Sequence, residues 1–325
     1  MKAAICKGYG SAAEVLRIEE RVKPKPRGDE LLVSVKASAV TAADCRIRSL
    51  NVPAGFSLPM RLALGFSKLR NPVLGLDFSG VVEAVGEKVL GFETGDEVLG
   101  STGIRMGCHA EFVSVRASGA VLRKPSGLSF ESAAVFPFGF LTALSFLRDQ
   151  AKLREGQSVL VYGASGAVGT AAVQLAKAFG ARVTGACSGG NAELVRSLGA
   201  DTVIDYRIQE MSSMEGSYDV VFDTVGKLGF ANGIRLTKEE GTFLLAVAGL
   251  PDFFRILKSK LGRGPRISAG MAGEKKGDLE YLLGLLADGA LRPVIDRSFA
   301  LSEIVEAHEF AESGRKRGNV ALRIN

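Results

Sequence analysis

The chain reads as an α/β protein in two parts, a mostly β first part followed by a doubly wound parallel sheet. Three observations predict this. Short apolar strands broken by Gly, Pro and Asp fill the chain to about residue 127, and buried strands alternate with helices from Phe130 onward. At residues 159–169 a strand runs through clustered glycines straight into a helix.

In order, strands are expected over Lys2 to Cys6, Glu30 to Lys36, Phe78 to Val85, Glu97 to Leu99 and Ala110 to Val115. The Ser129 hydroxyl is placed to cap a helix over Phe130 to Leu147. Ser158 to Tyr162 is the first buried strand, and the next helix covers Val168 to Phe179. Its apolar residues Val168, Ala172, Leu175, Ala176 and Phe179 share a face, and Gly180 supplies the stop. Strands follow over Arg182 to Cys187, Thr202 to Ile204, Asp219 to Phe222, Thr242 to Val247 and Arg266 to Gly270, with a helix over Asn191 to Leu198. The last 50 residues hold helical patterns at Leu279 to Ala287 and Ser302 to Glu312 and a strand at Val320 to Ile324, read as a return to the first part. There is no internal repeat. Asn51 to Arg70, rich in Phe, Leu and Met, and Pro251 to Arg266, with five basic residues against Asp252, have no simple pattern; a pocket lid, a partner surface and a membrane-facing patch stay open for each.

At 46% hydrophobic and 23% charged residues, 325 residues are enough for two domains with cores of their own, which excludes disordered, fibrous and disulfide-stapled classes. Forty glycines point to tight turns and close approach of backbone to a ligand. The net charge of +6 suits a phosphorylated cofactor and falls short of the dense basic stripe of a nucleic-acid binder. Cys6, Cys45, Cys108 and Cys187 lie far apart with no CxxC pair, which fits a reducing compartment. The start MKAAICKGYG breaks into Gly and Tyr before an apolar run forms, and a cytoplasmic location is expected.

The sharpest chemical signal is Gly163-Ala164-Ser165-Gly166-Ala167-Val168-Gly169. Gly166 lets backbone approach a pyrophosphate, Gly169 lets the helix pack closely on the strand, and the helix start offers N–H groups and a favourable dipole. In such a unit an acid about 20 residues downstream normally holds the ribose hydroxyls of NAD. Here the second strand ends in Cys187-Ser188-Gly189-Gly190-Asn191. No carboxylate stands there to repel a 2′-phosphate, and Ser188 and Asn191 can donate to one, so NADPH is the expected cofactor.

These residues, with Pro72 to Val82, Gly95-Asp96-Glu97-Val98, Ala110-Glu111-Phe112, Leu198-Gly199-Ala200-Asp201, Ile204-Asp205-Tyr206, Tyr218 to Asp223 with Gly226, and Ala307-His308, resemble the medium-chain dehydrogenase/reductase superfamily in its zinc-independent quinone oxidoreductase branch. The resemblance implies a GroES-like substrate domain over 1–127, completed by 274–325, and a Rossmann domain over 128–273. Where zinc-dependent relatives place ligands, this chain has Thr41, Leu76 and Phe138, so no metal is expected. The resemblance further implies that Thr142 lies near the nicotinamide with Val168 packed on it, Val225 by its ribose, Val247 and Ala248 by its carboxamide, and Tyr206 by the adenosine. It puts Thr41, Asp44 and Arg46 by the substrate and implies a homodimer. Arg46 stands where a Tyr is common, which leaves solvent to supply a proton. The Gly189-Gly190 turn lacks the usual Lys or Arg, and Arg315, Lys316 or Arg317 is left to reach the 2′-phosphate.

The expected reaction is hydride transfer to a quinone or an α,β-unsaturated carbonyl, with no nucleic-acid partner and with peripheral membrane contact disfavoured. A second class is an NADPH-binding redox sensor or membrane-associated partner with little turnover. A hydrolase reading rests on Ser165, Asp223 and His308 in triad order, and it fails where a nucleophile elbow needs glycine and Ala167 stands.

Overall fold

The computed structural model describes residues 1–208, 216–259, 263–270 and 272–324. The fold class is the expected one, built on two large sheets. In the first, Glu30–Val40 lies between Asp77–Val85 and Asn319–Arg323. Glu97–Ser101 and Val121–Arg123 extend one side, Ile295–Ala300 closes the other, and Phe112–Arg116 pairs with the first half of Glu30–Val40. Lys2–Cys6 and Leu16–Glu20 form a separate ribbon.

The second sheet is parallel throughout. Its strands Ser158–Tyr162, Arg182–Cys187, Thr202–Asp205, Tyr218–Asp223, Thr237–Leu245 and Arg266–Ala269 lie in the order third, second, first, fourth, fifth, sixth. The order reverses between the first and fourth strands, the place where ligands settle in such sheets. The helix Ala167–Ala178 leaves the first of these strands through the glycine turn.

Strands Leu16–Glu20 and Ile295–Ala300 were not anticipated from periodicity, and both carry charged side chains into solvent at sheet edges, where alternation is weak. The helices Ser57–Leu64, Phe230–Leu236 and Leu250–Ser259 were hidden too, their short patterns interrupted by Pro59, Gly233 and Pro251. The fifth parallel strand begins at Thr237, earlier than expected, and ends at Leu245, with an irregular register against Tyr218–Val220.

The helical run Phe130–Gln150 is long and apolar enough to cross a membrane by length and composition. Its Phe136, Phe140, Leu144 and Leu147 are instead buried in the core with Val161, Ala172 and Leu175, where their burial stabilises the fold. A second core lies between the first sheet and the helix Ile304–Glu312, so the end of the chain closes this core.

Candidate active site

Two hydrogen bonds cross the cleft, one from the first sheet to the helix Phe136–Leu144 and one to the dinucleotide turn. Phe138 N–H donates to Asp77 at 2.8 Å, and Gly318 N–H donates to the Ser165 carbonyl at 2.7 Å. Burial pushes the Asp77 carboxyl up to about 8, and its Oδ1 has no hydrogen-bond partner. The helix Phe136–Leu144 packs so closely that a Cβ at Gly139 would lie 2.7 Å from the Ala167 carbonyl. This brings Thr142, one turn on, toward the start of the dinucleotide helix; its hydroxyl donates to the Phe138 carbonyl at 2.7 Å.

At the turn itself Gly163 has φ +82, and a Cβ there would meet Thr224 and Val225 at 2.8 Å. Gly169 is the contact residue, since its Cβ would fall 2.1 Å from the Gly163 carbonyl oxygen. At Gly166 the nearest atom is 3.5 Å away, in open space, and no side chain caps the helix that starts there. The first-turn N–H groups therefore have no capping side chain, and the positive end of the helix dipole lies behind them. Ala164 is buried, whereas Ser165, Gly166, Ala167 and Val168 are half-buried along the rim.

Ser165, Ser188 and Asn191 form one network, in which Asn191 Nδ2 donates to Ser165 Oγ at 3.0 Å and to Ser188 Oγ at 3.1 Å. A residue missed in the sequence completes this corner. Arg207, beyond the third parallel strand, is held by Asp205 through Nη2 to Oδ2 at 3.0 Å, and a Cβ at Gly189 would lie 3.3 Å from Arg207 Nη2. That bond to Arg207 holds the Asp205 carboxyl down at about 2, and Asp205 also accepts the Gly189 N–H at 2.8 Å. Tyr206 is exposed and lies against Tyr162 with ring centroids 5.4 Å apart.

Arg317 is exposed and its N–H donates to Asp296 at 2.8 Å. The neighbour that turns inward is Lys316, whose Nζ donates to the Gly318 carbonyl at 2.8 Å beside the glycine turn. Burial holds its amine down at about 8. On the opposite side of the turn, Val225 flanks Gly163, and Val247 touches Gly226, where a Cβ would meet it at 2.9 Å. Asp223 anchors this loop by accepting N–H groups from Val225, Gly226 and Leu228. Ala248 packs half-buried beside the same strand end.

Thr41, Asp44 and Arg46 divide into two roles. Asp44 is fully buried with both carboxylate oxygens engaged: Oδ2 accepts the Thr41 N–H and hydroxyl at 2.8 and 2.6 Å, and Oδ1 accepts the Gly75 N–H at 2.9 Å. Thr41 and Asp44 form a capping box at the start of helix Ala42–Ser49 and pin it to Gly75. Arg46, on the same helix, is half-buried and has no hydrogen-bond or ion-pair partner among the described residues; burial lowers its guanidinium from the ordinary value.

The triad order noted in the sequence does not come together. Asp223 is engaged in its loop, Ser165 is bonded to Asn191, and His308 is buried against Cys45 and His109 at the second core. A groove of about 700 Å³ on the first domain, lined among others by Met1, Arg27, Arg70 and Phe112, includes none of the cleft residues.

Comparison with known proteins places this geometry. Residues 27–126 match the family described as alcohol dehydrogenase GroES-like domain, and residues 198–322 that described as zinc-binding dehydrogenase. The chain is 33% identical over 336 residues to a 2-methylene-furan-3-one reductase of Solanum lycopersicum, covering 99% of this chain and 79% of that protein. It is 31% identical to an NADPH-dependent alkenal/one oxidoreductase of Arabidopsis thaliana, with the same coverage of 99% and 79%. The solved structure of a quinone oxidoreductase from Coxiella burnetii superposes with a TM-score of 0.87 at 30% identity, covering 100% of this chain and 99% of that one. The zinc of the second family description finds no fit. The Thr41 hydroxyl is taken by Asp44, Leu76 and Phe138 offer only carbon, and no group of three or more His, Cys, Asp or Glu suited to a metal occurs among the described residues.

Proposed function

Because the chain belongs to the quinone oxidoreductase branch of the medium-chain dehydrogenase/reductase superfamily, we propose that its cleft binds NADPH and reduces quinones or α,β-unsaturated carbonyls without a metal ion. The observation that carries this is the uncapped helix start at Gly166, open to solvent where the order of the parallel strands reverses. The tomato and Arabidopsis relatives are named as a 2-methylene-furan-3-one reductase and an alkenal/one oxidoreductase, which supports an unsaturated carbonyl as acceptor.

The backbone of Ser165 to Val168 would hold the pyrophosphate, with Lys316 as an added positive charge. Ser188, Asn191 and Arg207 would receive the 2′-phosphate, and Tyr206 the adenosine. Arg317 is a less favoured contact, because it lies exposed while Lys316 turns to the glycine turn. Thr142, Val168, Val225, Val247 and Ala248 would enclose the nicotinamide. When bound, NADPH supplies the hydride.

Reduction of the acceptor leaves negative charge on its oxygen. The unpartnered guanidinium of Arg46 is suited to stabilise that charge in a partly dehydrated cleft, where a prepositioned donor is worth more than in water. Thr41 and Asp44 fix the helix that carries Arg46, and solvent supplies the proton that completes the product.

The test is loss of reduced-nicotinamide absorbance with 1,4-benzoquinone, 9,10-phenanthrenequinone and a short 2-alkenal as acceptors, with NADH and a chelator as controls. Chelator-resistant turnover that prefers NADPH is expected. NADPH binding without turnover on any acceptor would overturn the reductase and leave a sensor.

A further inference from the structure

Of the chain's 41 basic and 35 acidic residues, the two patternless stretches 51–70 and 250–266 hold eight and one, leaving 33 and 34 for everything else. The whole positive excess therefore sits in two segments far apart in sequence. The fold brings their described parts together at Ala54 to Phe56 and Leu250 to Phe253. Leu250 N–H donates to the Ala54 carbonyl at 2.8 Å, the Phe56 and Phe253 rings meet edge-on at 6.0 Å, and Gly55, at φ +87, leaves room for the Leu250 side chain. Chain continuity sets the seam at the rim of the cleft, since 51–70 follows the Arg46 helix directly and Leu250 follows Val247 and Ala248.

The same two segments expose apolar surface. Leu58, Leu62, Phe66, Phe254 and Leu257 are 57, 62, 66, 73 and 64% exposed, five of the nine large apolar side chains more than half exposed among the described residues. Ile256 is buried in the core of the parallel-sheet domain and anchors its helix, so the exposure of Phe254 and Leu257 belongs to the other face of a seated helix. Lys68 and Lys258 have no ion-pair partner among the described residues; Lys260 lies outside them.

We propose that this seam docks on an anionic lipid bilayer, with Phe254, Leu257 and the Ser57–Leu64 helix entering the interface and the flanking lysines and arginines meeting the headgroups. Short helices with large apolar side chains beside flexible cations have the composition of an interfacial surface. A symmetric contact with a second copy would set this basic surface against itself. Docking stands independently of the reaction. Only one corollary, that a lipophilic acceptor enters the cleft from the bilayer, rests on the reductase reading.

The experiment is cosedimentation of the full chain with phosphatidylcholine vesicles and with vesicles of phosphatidylcholine and phosphatidylglycerol, at low and high salt. Binding is expected to be at least tenfold stronger to the anionic vesicles and to weaken with salt. Phe254→Ser/Leu257→Ser should reduce it tenfold or more, and Lys68→Glu/Lys258→Glu by about fivefold or more per residue. NADPH titration of each variant verifies an intact fold. Failure to pellet with anionic vesicles at low salt, or variants that bind like the parent, would overturn the proposal. So would a parent dimer that Phe254→Ser/Leu257→Ser converts to monomer, which would make the seam an interface between copies. Turnover measured with a soluble quinone and no vesicles separates the two questions: docking without turnover sinks the reaction alone, and turnover without docking sinks the surface alone.

Discussion

Alanine at Gly166 and at Gly169 should do opposite things, although the two glycines are three residues apart in one turn. At Gly169 the added Cβ would sit 2.1 Å from the Gly163 carbonyl oxygen and 2.8 Å from two backbone atoms of Ala164, none of which can swing aside. The helix must draw back by roughly 1 Å to restore van der Waals contact. Such overpacking costs about 1–3 kcal/mol of stability and carries the phosphate-binding N–H groups out of place with it. At Gly166 the Cβ would meet only the Gly163 oxygen, at 3.5 Å, and the backbone is extended at φ −83, ψ 179, which any residue adopts. Gly166→Ala should therefore stay within about 0.5 kcal/mol of the parent in stability. If a pyrophosphate lies against that backbone, the methyl group occupies its place, and NADPH affinity should fall at least tenfold, about 1.4 kcal/mol. Thermal unfolding and a fluorescence titration with NADPH read both quantities on the same samples. A Gly166→Ala protein that binds NADPH like the parent would refute the reasoning, because the glycine would then serve the turn alone.

Arg207→Ala should cut the preference for NADPH over NADH, measured as a ratio of kcat/KM values, by about tenfold, since one charge-assisted bond to a phosphate contributes about 1.5–3 kcal/mol and this side chain is exposed. Lys316→Met should weaken both cofactors alike, because the pyrophosphate is common to them; a selective loss of NADPH would place Lys316 at the 2′-phosphate instead. Arg46→Ala should lower kcat/KM by about 10²-fold with little change in melting temperature, whereas Asp44→Ala should lower stability by about 2 kcal/mol through loss of the cap and the Gly75 anchor. Equal melting temperatures for these two variants would contradict that division. Asp77 titrates near 8 when folded against 3.8 unfolded, so the folded state holds a proton that the unfolded chain lacks, and this contribution to stability declines as pH rises from about 4 to 8. Asp77→Asn should gain on the parent in thermal stability between pH 5 and pH 8.5, and a constant gap across that range would show that Asp77 is ionised throughout.

The glycine turn and its helix were legible in the sequence because strand, turn and helix N-terminus are contiguous, and their geometry follows from residues a few positions apart. The non-ligand residues Thr41, Leu76 and Phe138 were equally legible, since they depend on residue type alone, whereas the second parallel strand ends without an acid of its own and it is Asp205, at the end of the third, that brings a carboxylate to Gly189. What the sequence by itself left open lies between distant residues. Asp44 looked like a group facing substrate until its two oxygens were found bonded to Thr41 and Gly75, so its burial is a property of packing. For the proposed 2′-phosphate corner the sequence offered only 315–317, while Arg207, just beyond the third parallel strand, lies beside Gly189, an adjacency created by strand order. The convergence of Ala54 to Phe56 with Leu250 to Phe253 was equally invisible to periodicity. A repeat of 3.6 or 2 reports which face of an element is apolar, and only the long-range packing of the two sheets decides which faces, and which charges, come to lie side by side.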